Sequence, residues 1–357
     1  MHRPVLVSYN CVMIYRELGG MSVSVVGMGC NQLGVTCDAR GAAGLVNEAL
    51  DSGINYFDVA DEYGRKYWDN TDPTWGLAEE YLGRALRGRR NNALIATKFG
   101  VTPPTRPELG GASARWIATA VEDSLRRLET DRIDLYQLHL PDPLVPVGET
   151  LGALDSLVRA GKVRAIGCSN LSGAQLEEAH RVASELGTAH FVSTQERLNL
   201  FAREALAGVM PVCDRLGIKF IPYQPLARGV LTGKYGRGRP VPPNSRLFLY
   251  DVSGDVPGQF TIVEATEETR ARVLTEQTYE RIEALEAYAD ERGRTLVELA
   301  FAWLLSFPAV STVIAGVARP GQAIANASST GWELTETECN EIVGLVGGSL
   351  RRTGPER

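Results

Sequence analysis

Paired cysteines are the first feature that this 357-residue chain lacks. Its six cysteines are scattered and show none of the CxxC spacing that zinc sites and redox motifs use. The pattern argues against a zinc site and against a disulfide framework, so free thiols in a reducing cytoplasm are expected. The six are Cys11, Cys30, Cys37, Cys168, Cys213 and Cys339.

Long apolar runs and an excess of one charge are missing too. No stretch approaches the ~18 apolar residues of a membrane span, and residues 1–12 lack the apolar core and cleavage site of a signal peptide. The 37 basic and 43 acidic residues are interspersed, which leaves a mild net charge of −6 and no basic groove. We expect a cytoplasmic protein that binds neither nucleic acid nor membrane. An oligomer is compatible with the sequence, but no pattern indicates one.

Strand and helix patterns alternate along most of the chain. Eight short β-rich runs are separated by amphipathic helical segments, and eight such units in roughly 300 residues predict an α/β protein with a (β/α)8 TIM barrel. The predicted strands are 25–29, 55–58, 94–98, 135–139, 163–169, 192–195, 219–223 and 312–315. The predicted helices are 41–51, 76–87, 113–128, 149–160, 172–186, 204–216 and two within 276–305.

Several segments fall outside this alternation. Residues 13–16 and 22–25 flank a Gly-Gly turn and predict an N-terminal β-hairpin that caps the bottom of the barrel. Residues 65–73 and 236–275 predict long loops on the C-terminal face, where lids and substrate loops usually lie. The expected divisions are an extension at 1–12, a single barrel domain at 13–346 and a C-terminal tail at 347–357.

Ionisable side chains end three consecutive predicted strands. Asp58, Lys98 and His139 lie there, and Tyr63 follows Asp58 by five residues. Neighbouring parallel strands end at one rim, so these four should meet. A phenol with a pKa near ~10 is a weak acid at neutral pH, but a nearby ammonium stabilises the phenolate. We predict Tyr63 as proton donor, with Lys98 as its activator. Asp58 would then orient Lys98, and His139 would donate a hydrogen bond to the substrate oxygen.

Other interpretations of these residues stay open. Any one of them could be structural, and His139 could be a satisfied core histidine. Ser169 and Cys168 end the fifth strand without the GxSxG pattern of a nucleophile, and no metal-ligand cluster is evident. A proton donor without nucleophile or metal needs a cofactor. The other three histidines lack comparable neighbours and are expected to be solvated: His2, His180 and His190.

Five motifs occur in a fixed order along the chain. They are Asp58-Val-Ala-Asp-Glu-Tyr63-Gly64, Ala96-Thr-Lys98-Phe-Gly100, Asp134-Leu-Tyr-Gln-Leu-His139, Gly167-Cys-Ser-Asn170 and Pro225-Leu-Ala-Arg-Gly-Val-Leu-Thr-Gly-Lys234. In order and spacing the set resembles the aldo-keto reductases over residues 13–340, and most of all their bacterial-type members and the potassium-channel β-subunits. The resemblance implies an NADPH-dependent oxidoreductase that reduces an aldehyde or ketone.

The resemblance also implies cofactor contacts. Ser169, Asn170 and Gln195 would bind the nicotinamide carboxamide, and the Tyr223 ring would stack on the nicotinamide. The other implied positions are Gly29, Cys30 and Asn31 near the nicotinamide, Gln224, Pro225, Leu226 and Arg228 along the pyrophosphate, Lys234 and Arg246 at the phosphates, and Gly316, Val317, Gln322 and Asn326 around the adenosine 2′-phosphate and adenine.

Three positions depart from the pattern of similar proteins. Ala318 stands where Ser, Lys or Arg is usual, and Ala325 where many have Glu. The adjacent Arg319 could take over the phosphate contact or could simply be solvated. NADPH is therefore expected ahead of NADH, and this choice depends on Arg319. Leu198 replaces a common Tyr, which predicts changed packing and unchanged chemistry.

The substrate and the direction of the reaction stay open. Trp68 and Trp75 are predicted to line a substrate pocket that suits a sugar or a natural-product carbonyl, although loop aromatics could instead mediate self-association. Two alternatives to a carbonyl reductase remain. One is a dinucleotide-binding regulatory or structural subunit with little turnover, and the other is a sugar dehydrogenase that runs in the oxidative direction.

Overall fold

A computed structural model describes most of the chain. The described residues are 13–64, 75–101, 110–240, 249–251, 261–263 and 271–348. Trp68, Arg246, the predicted extension and the whole of the predicted 65–73 loop lie outside these residues. Within them, every helix is too short or too polar to cross a membrane.

Eight parallel strands form the wall of a barrel. Each pairs with the next along the chain from Val26–Gly29 to Lys219–Tyr223, and Val313–Gly316 pairs with Val26–Gly29. A bridge between Phe220 and Val310 brings the two ends of the sheet together. The strands are β1 Tyr15–Leu18, β2 Met21–Ser24, β3 Val26–Gly29, β4 Tyr56–Asp58, β5 Leu94–Phe99, β6 Ile133–Leu138, β7 Val163–Ser169, β8 Phe191–Arg197, β9 Lys219–Tyr223, β10 Leu249–Asp251, β11 Thr261–Val263 and β12 Val313–Gly316. The (β/α)8 barrel prediction is confirmed.

Helices alternate with these strands and cover their outer surface. Their bounds are α1 Ala39–Asp51, α2 Leu77–Ala85, α3 Ala114–Arg127, α4 Val147–Arg159, α5 Gly173–Leu186, α6 Ala205–Gly208, α7 Met210–Leu216, α8 Glu276–Asp290, α9 Leu296–Leu305, α10 Gln322–Ser328 and α11 Glu336–Leu345. Short 3-10 segments span Arg90–Asn92 and Ala227–Thr232. Strands covered in this way are buried on both faces, and β4 and β6 are buried throughout.

Three parts of the chain differ from the predicted pattern. The helix predicted at 204–216 is two helices, because Pro211 lacks the N–H that would continue α6 and instead suits the first turn of α7. The helices α10 and α11 had not been recognised by periodicity. Within the predicted 236–275 loop, β10 and β11 form an antiparallel pair.

The predicted N-terminal hairpin closes the bottom of the barrel. Its turn uses Gly19 and Gly20 at φ +56° and +77°, which glycine adopts without a steric penalty. Arg16 donates to the backbone oxygens of Val310 (2.7 Å) and Leu305 (2.8 Å), which ties β1 to the segment before β12. Apolar side chains of the hairpin and of the strands form a separate core cluster here: Leu18, Met21, Val23, Tyr56, Ala96, Leu135, Ala165, Ile221 and Ile314.

Two histidines expected to be solvated contact each other instead. His180 on α5 and His190, just before β8, are partly buried, and their Nδ1 atoms lie 3.3 Å apart. The chain turns back after α5 to enter β8, which brings together residues ten positions apart. Burial, and then the neighbouring His180, lowers the pKa of His190.

Candidate active site

A buried ion pair occupies the rim at the C-terminal ends of β4 and β5. Lys98 Nζ lies 2.6 Å from Asp58 Oδ1 and also donates to the Val59 backbone oxygen at 2.9 Å. Lys98 is 0% exposed and Asp58 is 3% exposed. A charge buried this deeply needs a partner, so each side chain makes the burial of the other tolerable.

The second oxygen of Asp58 accepts hydrogen bonds from two amides. Gln195 Nε2 lies 2.8 Å from Asp58 Oδ2, and Gln137 Nε2 lies 3.4 Å from it. The carboxylate is therefore held from three directions. Sequence reasoning missed Gln137 as a site residue, although it shares a strand face with His139 two positions later, and that spacing was the available signal.

Tyr63 lies next to this ion pair on the turn after β4. Its hydroxyl oxygen is 3.5 Å from Lys98 Nζ, which also lies 4.9 Å from the centroid of the phenol ring. The turn is anchored to the start of α2, where Ala78 N donates to Tyr63 O at 3.1 Å. Gly64 has φ +102°, and a Cβ there would lie 2.6 Å from Ala78 N. Only glycine fits, so Gly64 fixes the position of Tyr63.

His139 directly follows β6 and packs against Tyr63. The two rings meet edge to face, with centroids 5.9 Å apart and an interplanar angle of 78°. His139 Nδ1 lies 3.7 Å from Glu62 Oε1, beyond hydrogen-bonding distance. Burial, and then the positive charge of Lys98, lowers the pKa of His139 well below its usual value. The imidazole is therefore neutral at neutral pH, a form in which it can donate a hydrogen bond.

Two further acidic residues near the ion pair, Glu79 and Asp61, are also buried. Glu79 pairs with Arg127 at 2.6 Å and accepts a hydrogen bond from Thr97 Oγ1 at 2.5 Å. Asp61 is also buried, and burial followed by the charge of Glu79 raises its pKa well above the usual value. None of these had been singled out in the sequence, although Asp61 lies inside the first motif.

The residues predicted at the nicotinamide form one hydrogen-bonded network. Ser169 Oγ donates to Gln195 O at 2.7 Å, and Asn170 Nδ2 lies 3.0 Å from both Ser169 Oγ and His139 O. Tyr223 OH donates to Asn170 Oδ1 at 2.9 Å. The ends of β7 and β9 thus place a hydroxyl, a carboxamide and a phenol ring side by side, joined to the backbone of β8, whereas the Gln195 carboxamide donates to Asp58.

The backbone is strained at the same rim. Among the described residues other than glycine, five have a positive φ, and four of them follow β7 or β9. These four are Asn170 (φ +60°), Gln224 (+54°), Ala227 (+45°) and Arg228 (+59°). Such strain concentrates at ligand sites. Together with the hydroxyl and carboxamide groups, it fits a nicotinamide carboxamide.

The other predicted positions are distributed along the rim. Gly29 ends β3 and is followed by Cys30 and Asn31, whereas Gln224, Pro225, Leu226, Arg228 and Lys234 follow β9, and Gly316, Val317, Arg319, Gln322 and Asn326 lie in the segment from the end of β12 through α10. Burial raises the pKa of the Cys30 and Cys168 thiols, which makes both poor nucleophiles. Trp75 is partly buried two residues before α2, the helix whose Ala78 N donates to Tyr63 O.

Glu196 is a further residue that the sequence did not indicate. Its Oε1 accepts hydrogen bonds from Leu171 N at 3.0 Å and from Thr194 Oγ1 at 3.1 Å. Burial raises its pKa to about 8. The only signal in the sequence was its position next to Gln195.

The C-terminal rim of this parallel barrel carries a tyrosine, a buried Lys–Asp pair and a neutral histidine. The fold and this set of side chains are those of an oxidoreductase with a (β/α)8 barrel. The family model described as Aldo/keto reductase family matches residues 25–346, and the chain belongs to this family. The resemblance seen in the motifs is thereby confirmed, and a nicotinamide dinucleotide is the cofactor that the family uses.

Individual relatives agree with this assignment. The chain is 31% identical to Aldo-keto reductase YhdN of Bacillus subtilis (strain 168), over 94% of each chain. It is 33% identical to a probable voltage-gated potassium channel subunit beta of Arabidopsis thaliana, over 87% of this chain and 89% of that one. The structure of the holo form of aldo-keto reductase AKR11C1 from Bacillus halodurans matches with a TM-score of 0.71 at 29% identity, over 96% of this chain and 99% of that one.

Proposed function

We propose that the protein reduces an aldehyde or ketone to the alcohol with a reduced nicotinamide dinucleotide and with Tyr63 as the proton donor. One observation carries the proposal: Lys98 Nζ lies between the Asp58 carboxylate, at 2.6 Å, and the Tyr63 hydroxyl, at 3.5 Å. In that position, the ammonium can stabilise the phenolate that proton donation leaves behind.

The residues divide the work of the reaction. A bound nicotinamide supplies hydride from its C4 to the carbonyl carbon. The Tyr63 O–H bond breaks as its proton forms the O–H bond of the alcohol, and Lys98 stabilises the resulting phenolate. Neutral His139 donates a hydrogen bond to the same oxygen and orients the substrate. Ser169 and Asn170 would hold the carboxamide.

The finer parts of this proposal are the cofactor and the substrate. We propose NADPH as one cofactor, following the resemblance, and NADH as a second, because Ala318 and Ala325 add no positive charge where the 2′-phosphate would lie. Trp75 is partly buried and lies three residues before Ala78, whose amide donates to Tyr63 O. An aromatic residue at this point of the chain supports a substrate with an apolar or sugar-ring face next to its carbonyl group.

Label transfer tests the reaction directly. The purified protein would be supplied with NADPH or NADH carrying deuterium at both C4 positions, together with aldehydes, ketones and keto sugars. We expect oxidation of the cofactor with at least one carbonyl, and deuterium on the carbinol carbon of the product. No oxidation across the panel, or a product without deuterium on that carbon, would contradict the proposal.

Two other candidate functions predict different experimental results. The similarity to a protein named as a probable channel subunit favours a dinucleotide-binding subunit as the second candidate. It predicts tight dinucleotide binding, no turnover on the panel and co-purification with a partner. A sugar dehydrogenase would instead show faster initial rates with polyols or aldoses and oxidised cofactor than with carbonyls and reduced cofactor.

A further inference from the structure

The turn between β12 and α10 is where the resemblance places the 2′-phosphate that distinguishes NADPH from NADH. Its backbone donors already have partners inside the protein. Gln322 Oε1 accepts hydrogen bonds from Ala318 N at 2.7 Å and from Arg319 N at 3.0 Å. A phosphate would have to displace this side chain to reach either amide.

A carboxylate from a distant helix occupies the next two donors. Glu48 on α1 accepts from Gly321 N, at 2.9 Å to Oε1 and 2.8 Å to Oε2. Its Oε1 also accepts from Ala323 N at 3.1 Å. The hydrogen bonds hold a negative charge against the turn, two to five residues along the chain from the amides that Gln322 occupies.

The turn has little positive charge to offset Glu48. Ala318 and Ala325 contribute none, and Arg319 is exposed and forms no ion pair with the described part of the chain. One guanidinium therefore balances one carboxylate. A phosphate monoester, with a charge of about −1.5 to −2 at pH 7, would meet a turn with no net charge.

We propose that Glu48 is a specificity-determining residue that weakens binding of the 2′-phosphate and leaves the protein with similar affinities for NADPH and NADH. Like charges this close repel, and because the turn is exposed, water and salt limit the effect. The proposal rests on the proposed function only in placing a dinucleotide at this rim. It concerns binding and requires no turnover.

Equilibrium binding measures the effect on the whole protein. Dissociation constants for NADPH, NADH, 2′,5′-ADP and 5′-ADP would be determined by titration calorimetry for the wild type and for Glu48→Gln, which keeps an acceptor for Gly321 N. We expect the wild-type Kd values for NADPH and NADH to lie within about tenfold of each other. Glu48→Gln should tighten NADPH and 2′,5′-ADP about three- to tenfold and change the other two less than about twofold.

Two further variants separate charge from structure. Asp51→Asn removes a carboxylate from the same helix, where Asp51 pairs with Arg89 at 2.7 Å, and should leave all four Kd values unchanged. Arg319→Ala should weaken NADPH and spare NADH. The gain in Glu48→Gln should also shrink between ~20 and ~200 mM salt, because screening reduces a charge effect.

Two results would overturn the proposal: a wild type that binds NADPH more than about tenfold tighter than NADH, or a Glu48→Gln variant with an unchanged ratio of the two Kd values. These results are independent of the proposed function. A protein that follows the binding predictions but transfers no label overturns only the reductase assignment, and an active enzyme with an unchanged ratio overturns only the role of Glu48.

Discussion

The rim beyond β4, β5 and β6 and the turn beyond β12 lie on the same face of the barrel but are built differently. The first region is buried, and its Asp58–Lys98 pair and the Tyr63 turn are fixed by the strands and by packing against α2. The second is largely exposed, and one side chain from α1 secures it through three hydrogen bonds. The contrast indicates that the chemistry depends on the core, whereas the choice of cofactor depends on a surface that single substitutions can change.

The largest effect is expected when the buried pair is broken. Lys98→Met leaves the Asp58 carboxylate buried without its cation, so the free energy of unfolding should fall by about 3–5 kcal/mol. Turnover should fall by about 10²–10⁴-fold, because the phenolate loses its stabilising charge. Urea unfolding and steady-state assays measure the two effects.

A double substitution provides the control for this prediction. Asp58→Asn with Lys98→Met removes both charges, so it should be destabilised by less than the sum of the single variants. If the effects of the two single variants simply add, the two buried charges are not energetically coupled. That result would contradict the claim that the catalytic rim depends on the buried ion pair.

A smaller effect is expected from one glycine in each region. Gly64→Ala adds a Cβ 2.6 Å from Ala78 N at φ +102° and should cost about 2–4 kcal/mol of stability, together with a loss of turnover as Tyr63 moves. Gly321→Ala has φ +85° and nothing within 4 Å, so it should cost only about 1 kcal/mol of stability. Equal costs at both sites would mean that the catalytic turn is no more rigid than the cofactor turn.

The third effect concerns the stability contributed by Glu196, which lies between the two regions, and it depends on pH. Its pKa is raised from 4.5 to about 8 by burial, so between those values the folded protein binds more protons than the unfolded chain. The contribution of Glu196 to the free energy of unfolding of the wild type should therefore fall as the pH rises from about 4.5, and it should level off above about 8. Glu196→Gln has no carboxyl group to titrate, so it should not show that fall. Between pH 5 and pH 8.5 its free energy of unfolding should rise by about 2 kcal/mol relative to wild type, a modest value because water screens part of the charge. Parallel slopes of stability against pH would contradict this assignment.

The barrel and the rim residues could be predicted because their signals are local. β7 and β9 begin and end where the β-rich runs do. Asp58 ends β4, Lys98 is the penultimate residue of β5 and His139 directly follows β6, so topology alone brings them together. The break between α6 and α7 was missed because the pattern of apolar residues continues across Pro211. The backbone cost of that proline is not visible in hydrophobic periodicity.

Contacts between distant parts of the chain could not be predicted from the sequence. Glu48 lies 273 residues before Gly321, and nothing in the helical pattern of α1 marks it as an acceptor for that turn. The Nδ1 contact between His180 and His190 likewise depends on how α5 returns to β8. The residues around Ala318 were found through the resemblance, but the side chain that faces them required the fold.

Tyr63→Phe tests the central claim most directly. Turnover with an active carbonyl and the Kd of the reduced dinucleotide would be measured on the same preparation. The predicted result is a fall in kcat of about 10³-fold or more with a Kd within about threefold of wild type, because the variant loses only the transferable proton. A variant that keeps kcat within tenfold of wild type, or that loses cofactor binding together with activity, would contradict the assignment of Tyr63 as the proton donor.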